Sequence, residues 1–253
     1  MKKETYYTGT SGLLLPYKNQ QFYPAAFHGK SRLSVYGALF NSIEINSTFY
    51  KLPLQKTIQK WAESVPAHFK FTFKLWKEIT HQKELNFNTE DVRRFMEIIA
   101  AAGSKKGCLL IQFPPGVHYN SFPRVKKLLA AIIKADPQRE WKLSIEFRHS
   151  SWYREETYRL LNSLEAGMVI HDKTHSESPL EEMELPFVYV RFHGPAGDYK
   201  GSYDDSFLHE YAHYIRDWLE AGKEVYVYFN NTMGDALKDL DVLRSYVKSV
   251  HDK

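Results

Sequence analysis

Eight short β-branched or aromatic runs, helical periodicity in most of the gaps between them, and a length of 253 residues predict an α/β fold: a single TIM-type (β/α)8 barrel spanning residues 1–253. Length alone decides nothing, because 253 residues at roughly 150 per domain do not choose between one domain and two. The alternation decides it: strands that alternate with helices pair in parallel, and eight such units suit closure into a barrel. The rival architecture is an open doubly wound sheet.

The strand runs are Tyr6–Thr10, Ser42–Asn46, Lys70–Lys74, Gly107–Phe113, Lys142–Arg148, Met168–Asp172, Phe187–His193 and Glu224–Asn230, bounded by Gly, Pro or Asn. After the third run, Thr89 is the expected N-cap of a helix reaching Ala101, with Val92, Phe95, Met96 and Ile99 on its apolar face and Gly103 beyond its end. After the fourth, Phe122–Lys134 places Val125, Leu128, Leu129 and Ile132 on one face. After the seventh, Leu208–Ala221 aligns Leu208, Tyr211, Ala212, Ile215, Trp218 and Leu219 before stopping at Gly222. After the eighth, Ala236–Val250 repeats the pattern with Leu237, Leu240, Leu243 and Val247. The sixth unit is predicted to be shortened, because the 14 residues between Asp172 and Phe187 include Pro179 and Pro186 and cannot hold a full crossover helix.

Composition excludes several function classes. Lys and Arg number 34 against 30 Asp and Glu, a net charge of +4, which is not the balance of a nucleic-acid-coating protein. Cys108 is the single cysteine, so an internal disulfide and a thiolate zinc cluster are out, and nothing points to an oxidising compartment. Near Lys2 and Lys3 the apolar run is only Leu13–Leu15, short of the ~7–15 residues of a signal-peptide core. No stretch approaches the ~18 apolar residues of a membrane span, so no membrane is expected and the chain reads as cytoplasmic. Its aromatic content, 15% from 16 Phe, 5 Trp and 17 Tyr, calls for a location.

Chemistry in a β/α barrel collects where strands end. Alternation along each run puts Glu44 and Asn46 on one face, then Thr72 and Lys74, Gln112, Glu146 and Arg148, His171–Asp172, Tyr189 with Arg191 and His193, and Tyr226 with Tyr228 and Asn230. Polar groups thus gather at one end of the strands while the strand starts are mostly apolar. One interpretation is an ion-paired plug, with Arg148 on Glu44 and Arg191 on Glu146 or Asp172; the other is a pocket.

The strings Gly9-Thr10-Ser11-Gly12, Phe22-Tyr23-Pro24, Glu44-Ile45-Asn46-Ser47-Thr48-Phe49-Tyr50, Gln112-Phe113-Pro114-Pro115, Glu146-Phe147-Arg148-His149, Arg191-Phe192-His193-Gly194 and Phe229-Asn230-Asn231 occur in that order, with Lys74, Ile79-Thr80-His81 and Asp172 between them. In these the chain resembles the YecE-like family, domain of unknown function seventy-two, over nearly its whole length. The resemblance implies a TIM-type barrel and no settled reaction. Leu13 stands where the family usually has Trp, so the stacking surface such a ring would give is not expected here.

Three chemistries compete for the strand ends. Glu44 and Glu146 on the second and fifth runs could approach to roughly 6–9 Å across a barrel, which overlaps the ~6.5–9.5 Å of an inverting glycosidase. Lys74, Arg148 and Arg191, with Asn46, Gln112 and Asn230 as neutral donors, favour an anionic substrate, since guanidinium recognises phosphate or carboxylate through a fork. His193 suits proton transfer near neutral pH. A divalent ion on Glu44, Glu146, Asp172, His171 or His193 is the third option, opposed by Arg148 and Arg191; no metal site is assigned and no cofactor is required. The expectation is therefore an acid–base enzyme, a hydrolase, isomerase or lyase, acting on an anionic ring-bearing small molecule such as a sugar phosphate or nucleotide. Glu44, Glu146 and His193 would handle protons; Asn46, Lys74, Gln112, Arg148, Asp172, Arg191 and Asn230 would bind substrate. The alternative is a non-catalytic module that holds a ligand or nucleic acid in the same cavity. Oligomeric state is not legible.

Two further features complete the sequence. His209-Glu210-Tyr211-Ala212-His213 matches the zinc-protease pattern, but the helix turns Leu208, Tyr211, Ala212, Ile215 and Trp218 to the core and leaves both histidines on the wetter face. Phe49, Tyr50, Trp76, Phe113, Trp152, Tyr199, Tyr203 and Phe229 all follow strand ends, as packing under loops or as stacking rings at a rim. The glycine-bearing segment Gly194–Tyr203 and the long segment Gly12–Lys30 are candidate lids.

Overall fold

The computed structural model describes residues 5–180 and 183–249; Lys2, Lys3 and Val250 lie outside the described residues. The strands are β1 (Tyr6–Thr10), β2 (Ser42–Ile45), β3 (Lys70–Lys74), β4 (Lys106–Gln112), β5 (Lys142–Glu146), β6 (Gly167–Met168), β7 (Ile170–His171), β8 (Phe187–Phe192) and β9 (Glu224–Phe229). They form two sheets, ordered β1-β9-β8-β7 and β2-β3-β4-β5-β6, with parallel pairing in both. Within β2–β6 the order follows the chain, without the reversal that marks a doubly wound sheet.

The sheets meet at two seams. The run expected over Met168–Asp172 is broken at Val169, whose N–H donates to the Ile145 carbonyl at 2.8 Å. Residues before the break pair with β5, and those after it pair with β8. At the other seam, β1 and β2 touch through a bridge between Ser11 and Glu44, where the Gly12 N–H donates to the Glu44 carbonyl at 2.8 Å. Along the rest of β1, side chains replace the missing ladder. The Thr8 N–H donates to Asn41 Oδ1 at 2.9 Å, Asn41 Nδ2 donates to the Tyr6 carbonyl at 2.7 Å, and the Thr10 N–H donates to the Tyr36 hydroxyl at 2.7 Å. Gly9 is required by this proximity, since a Cβ there would lie 2.1 Å from the Ser42 carbonyl oxygen.

Helices fill most crossovers: α1 (Arg32–Leu39), α2 (Ser47–Tyr50), α3 (Gln55–Glu63), α4 (Lys77–Thr80), α5 (Thr89–Ala100), α6 (Phe122–Ala135), α7 (Glu155–Ser163), α8 (Asp205–Glu220) and α9 (Ala236–Ser249). The cap of α5 is Asn88 and not Thr89: Asn88 Oδ1 accepts the Glu90 N–H at 2.9 Å, and Thr89 is already helical. Helix α8 begins three residues before the expected Leu208, with the acidic Asp205 in its first turn. Among the described residues of 172–186 there is no helix. No described helix is long and apolar enough to cross a membrane.

The main core packs helices against the sheets, joining residues such as Val92 and Phe95 of α5, Leu128 of α6 and Ile215 of α8 to Phe71, Phe73, Ile145 and Val227 of the strands. A second, smaller core of Tyr7, Cys108, Leu110, Val169, Tyr189, Tyr226 and Tyr228 draws on both sheets. The Tyr7 and Tyr226 rings stack at 4.8 Å. The Tyr228 hydroxyl crosses from one sheet to the other, within 2.5 Å of Ser42 Oγ and 2.8 Å of Thr72 Oγ1. Groups from the two sheets therefore meet in this second core, where the hydroxyls of Tyr189, Tyr226 and Tyr228 all find partners.

Candidate functional site

Above the tyrosine layer the interior becomes charged. Glu44 ends β2, Glu146 ends β5 and Arg191 lies on β8; the first two are 0% exposed and the third 1%. Arg191 spans the interior, with Nη2 donating to Glu44 Oε1 at 2.8 Å and Nη1 donating to Glu146 Oε2 at 2.6 Å. The expected pair of Arg191 with Glu146 is present, but Arg191 takes Glu44 as well, and Arg148 pairs with Glu146 instead of Glu44. The reason lies in the topology, because β8 stands in one sheet and both glutamates in the other. Glu44 also accepts from the Ser11 and Tyr189 hydroxyls. Burial pushes the Glu146 carboxyl up, but Arg148 and Arg191 outweigh it and hold it well below the usual carboxylate range.

His193 follows β8 and is fully buried. Its Nε2 lies 2.9 Å from Arg148 Nη2 and 3.2 Å from Arg191 Nη1. Guanidinium can only donate, so Nε2 accepts and the ring proton sits on Nδ1, 3.1 Å from Asp172 Oδ1. Burial and the Arg191 charge keep His193 neutral, far below its ordinary value. Asp172 also accepts the His193 N–H at 2.7 Å and the Tyr203 hydroxyl; burial raises its pKa to about 6. Neighbouring His171 packs Nε2 3.1 Å from the Phe147 carbonyl, and burial lowers it to about 4.

A polar cavity of about 160 Å³ lies over this layer. Six of the residues expected to bind substrate line it together: Asn46, Lys74, Gln112, Arg148, Arg191 and Asn230. The rings of Phe49, Tyr50 and Tyr199 complete the wall. Glu44, Glu146, Asp172 and His193 lie behind the lining, with their polar groups directed into the network just described. The charged groups facing the cavity are thus all cations.

Lys74, at the end of β3, is the exceptional one. Among the described residues its ammonium has no carboxylate and no hydrogen-bond partner, and Nζ sits 4.3 Å from the centre of the Phe49 ring. Burial, reinforced by Arg191, lowers its pKa to about 8. The Thr48 hydroxyl donates to the Lys74 carbonyl at 2.8 Å, and the His81 ring abuts Phe49 edge-on at 4.9 Å, which fixes the ring beneath the amine. Three buried atoms of the lining residues also lack partners: Arg148 Nε, Arg191 Nε and Asn46 Oδ1.

A second cavity of about 330 Å³ shares Gln112, Arg148 and Tyr199 with the first and extends to residues 173–176 after β7. Tyr199, the residue common to both that sequence reasoning placed only among rim aromatics, has a left-handed φ of 70°. It is tied by its N–H to the His193 carbonyl at 2.7 Å and by its carbonyl to the Met233 N–H at 3.1 Å. The glycine-rich candidate lid is therefore pinned on two sides. The remaining rim aromatics divide: Phe49 and Tyr50 face the cavity, Phe113, Trp152 and Phe229 are buried packing, Tyr203 is buried with its hydroxyl on Asp172, and Trp76 is half-buried outside the lining. His209, Glu210 and His213 sit on the exposed side of α8, on an outer helix. Ser11 and Tyr203 supply key hydroxyls, and no spacing in the sequence shows which carboxylates they reach.

A sequence profile described as protein of unknown function DUF72 matches residues 7–253. The UPF0759 protein YunF of Bacillus subtilis strain 168 is 24% identical, over 87% of this chain and 88% of its own. A DUF72 family protein of Enterococcus faecalis V583 superposes with a TM-score of 0.78 at 20% identity, covering 96% of this chain and 95% of that one. A sugar phosphate isomerase/epimerase of Parabacteroides distasonis ATCC 8503 shares the fold more loosely, with a TM-score of 0.50 at 11% identity over 86% and 87% of the two chains.

Proposed function

The chain belongs to the DUF72 family of proteins of unknown function, and we propose that it is an acid–base enzyme that binds an anionic, ring-bearing small molecule at the mouth of a single closed (β/α)8 barrel. Two features favour closure: the break at Val169 hands one run from β5 to β8, and the Ser11–Glu44 bridge joins β1 to β2. The observation that carries the anion is Lys74, a cation in a polar cavity without a counter-ion of its own. Leaving an ammonium partly desolvated and unpaired is costly unless a ligand supplies the missing charge.

Lys74 and Arg148 hold the anion, with Asn46, Gln112 and Asn230 as neutral donors and the rings of Phe49, Tyr50 and Tyr199 against the substrate ring. Lys74 also exchanges the proton, since a pKa of about 8 suits transfer near neutral pH. Glu44, Glu146 and His193, which the sequence suggested as the proton carriers, become the framework that positions Arg148 and Arg191 and sets the field around Lys74. Arg191 lies between the two carboxylates, where an inverting glycosidase needs its attacking water. Proton-transfer chemistry, as in an isomerase or lyase, is favoured over glycoside hydrolysis for that reason. The sugar phosphate isomerase/epimerase of similar fold gives a precedent for such a substrate in this architecture.

Thermal unfolding with inorganic phosphate, nucleotides and sugar phosphates tests this directly. We expect the midpoint to rise with at least one of them in the wild type, and at least tenfold more ligand to be needed for the same rise in Lys74→Met. An unchanged midpoint with every anion overturns the proposal.

A further inference from the structure

The cavity wall contains no carboxylate, thiol, hydroxymethyl or imidazole group; its members are amides, guanidinium groups, phenol or phenyl rings and one amine. That amine, Lys74 Nζ, is the sole alkyl nucleophile among the lining residues. It faces the centre of an aromatic ring at 4.3 Å and shares the wall with two guanidinium groups, and the two carboxylates whose charge favours its protonated form, Glu44 and Glu146, are both engaged by Arg191. The ring face favours the ammonium, but burial and the cationic neighbours favour the neutral amine, the form in which a lysine acts as a nucleophile.

We propose that Lys74 captures a carbonyl substrate as a Schiff base, the substrate being an aldehyde or ketone that also carries a phosphate or carboxylate. This rests on the anion site proposed above and names the substrate class within it. The neutral amine attacks the carbonyl carbon, the C=O π pair moves to oxygen, and that oxygen takes up a proton as nitrogen loses one. The resulting hydroxyl leaves as water with a proton from solvent, so the C–O bond is replaced by a C=N⁺ bond to Lys74. The iminium then accepts the electron pair of an adjacent C–H bond while solvent water takes the proton, giving an enamine. Return of a proton to carbon and hydrolysis of the C=N⁺ bond release the carbonyl product and Lys74, the course an isomerase requires. Arg148, in the same wall, binds the substrate's anionic group and orients the carbonyl towards Lys74. The lowered pKa fits: at about 8, about a tenth of the amine is neutral at pH 7, against about one part in three thousand for an ordinary lysine.

The adjoining cavity supplies an internal control. Lys173 also lies 4.4 Å from the centre of an aromatic ring, that of Tyr199, but its ammonium is engaged, donating to the Gly197 carbonyl. Incubation of the full chain with dihydroxyacetone phosphate and sodium cyanoborohydride, followed by peptide mass mapping, reads the capture residue by residue. We expect one reduced adduct per chain at Lys74, formed at least tenfold faster than at Lys173 or any surface lysine. It should be slowed by inorganic phosphate and at least tenfold slower with neutral dihydroxyacetone. Lys74→Arg, which keeps the charge, should abolish it; the wild-type map alone discriminates between the outcomes even if that variant fails to fold. Labelling of Lys74 no faster than of other lysines, or equal labelling by the neutral ketone, overturns the Schiff base. If phosphate still raises the unfolding midpoint in that case, the anion site stands and the Schiff base alone falls.

Discussion

Arg191 is held by two carboxylates from the opposite sheet, and Glu146 is shared between Arg191 and Arg148. Removing a partner from such a buried set leaves charge without compensation, a cost of about 3–5 kcal/mol. Glu146→Gln is therefore expected to lower stability by about that amount in urea denaturation, while Glu97→Gln, in an exposed pair with Arg93, should change it by less than about 1 kcal/mol. Lys74 gives the second prediction at this scale. Its ammonium loses charge as pH rises through about 8, so affinity for sulfate, whose own charge is constant there, should fall across that window and should be flat in Lys74→Arg. Titration calorimetry at pH 6.5 and 9 measures both. The inward-facing identities of Glu44, Lys74, Glu146 and Arg191 were legible from period-2 alternation, because a strand's side chains have only two directions. Their pairing was not, since it depends on which strand ends face one another across the interior.

At the scale of elements, the seam between β1 and β2 is the most demanding piece of backbone. Gly9→Ala would drive a Cβ onto the Ser42 carbonyl, whereas a Cβ on Gly116 meets nothing within 4 Å. Thermal unfolding should show a loss of several degrees or failure to fold for the first and a shift near zero for the second. Strand positions were readable in the sequence because runs such as Gly107–Phe113 are short, largely apolar and stopped by Pro114 and Pro115, while Lys70–Lys74 alternates Phe with polar residues. The expected strands overran at their C-terminal ends, as at Asn46, Arg148 and His193, because those residues continue the alternation after strand pairing has stopped. Helices α1, α3 and α7 leave a weak sequence signal because each spans only eight or nine residues and buries few positions. The division at Val169 follows from which neighbour each half meets, which local composition does not encode.

Across the whole molecule, buried titratable groups give stability a definite slope with pH. Burial lowers His171 from 6.5 to about 4, so its contribution is complete above about 6.5 and is lost as pH falls towards about 4. His193, held well below 6.5, acts in the same direction. Asp172, raised to about 6, acts oppositely: its contribution is complete below about 4 and is lost as pH rises through about 6. His171 and Asp172 are each worth about 3 kcal/mol at about 1.4 kcal/mol per pH unit and nearly offset, which leaves His193, together with His81, also lowered to about 4, to decide the sign. The unfolding midpoint should fall between pH 7 and 4.5; a midpoint that rises on acidification contradicts this assignment of neutral histidines. Length, alternation and motif order sufficed to read the parallel α/β architecture and the family. The chemistry proposed at Lys74 was harder to read, because it rests on an amine whose setting becomes visible only once Glu44 and Glu146 are seen to be engaged by Arg191. The most direct measurement is a crystal structure with selenate, phased on selenium. An anion at the mouth predicts an anomalous peak in the 160 Å³ cavity, with oxygens within hydrogen-bond reach of Lys74 Nζ and the Arg148 guanidinium. Ordered selenate elsewhere on the molecule, with only water in this cavity, would contradict it.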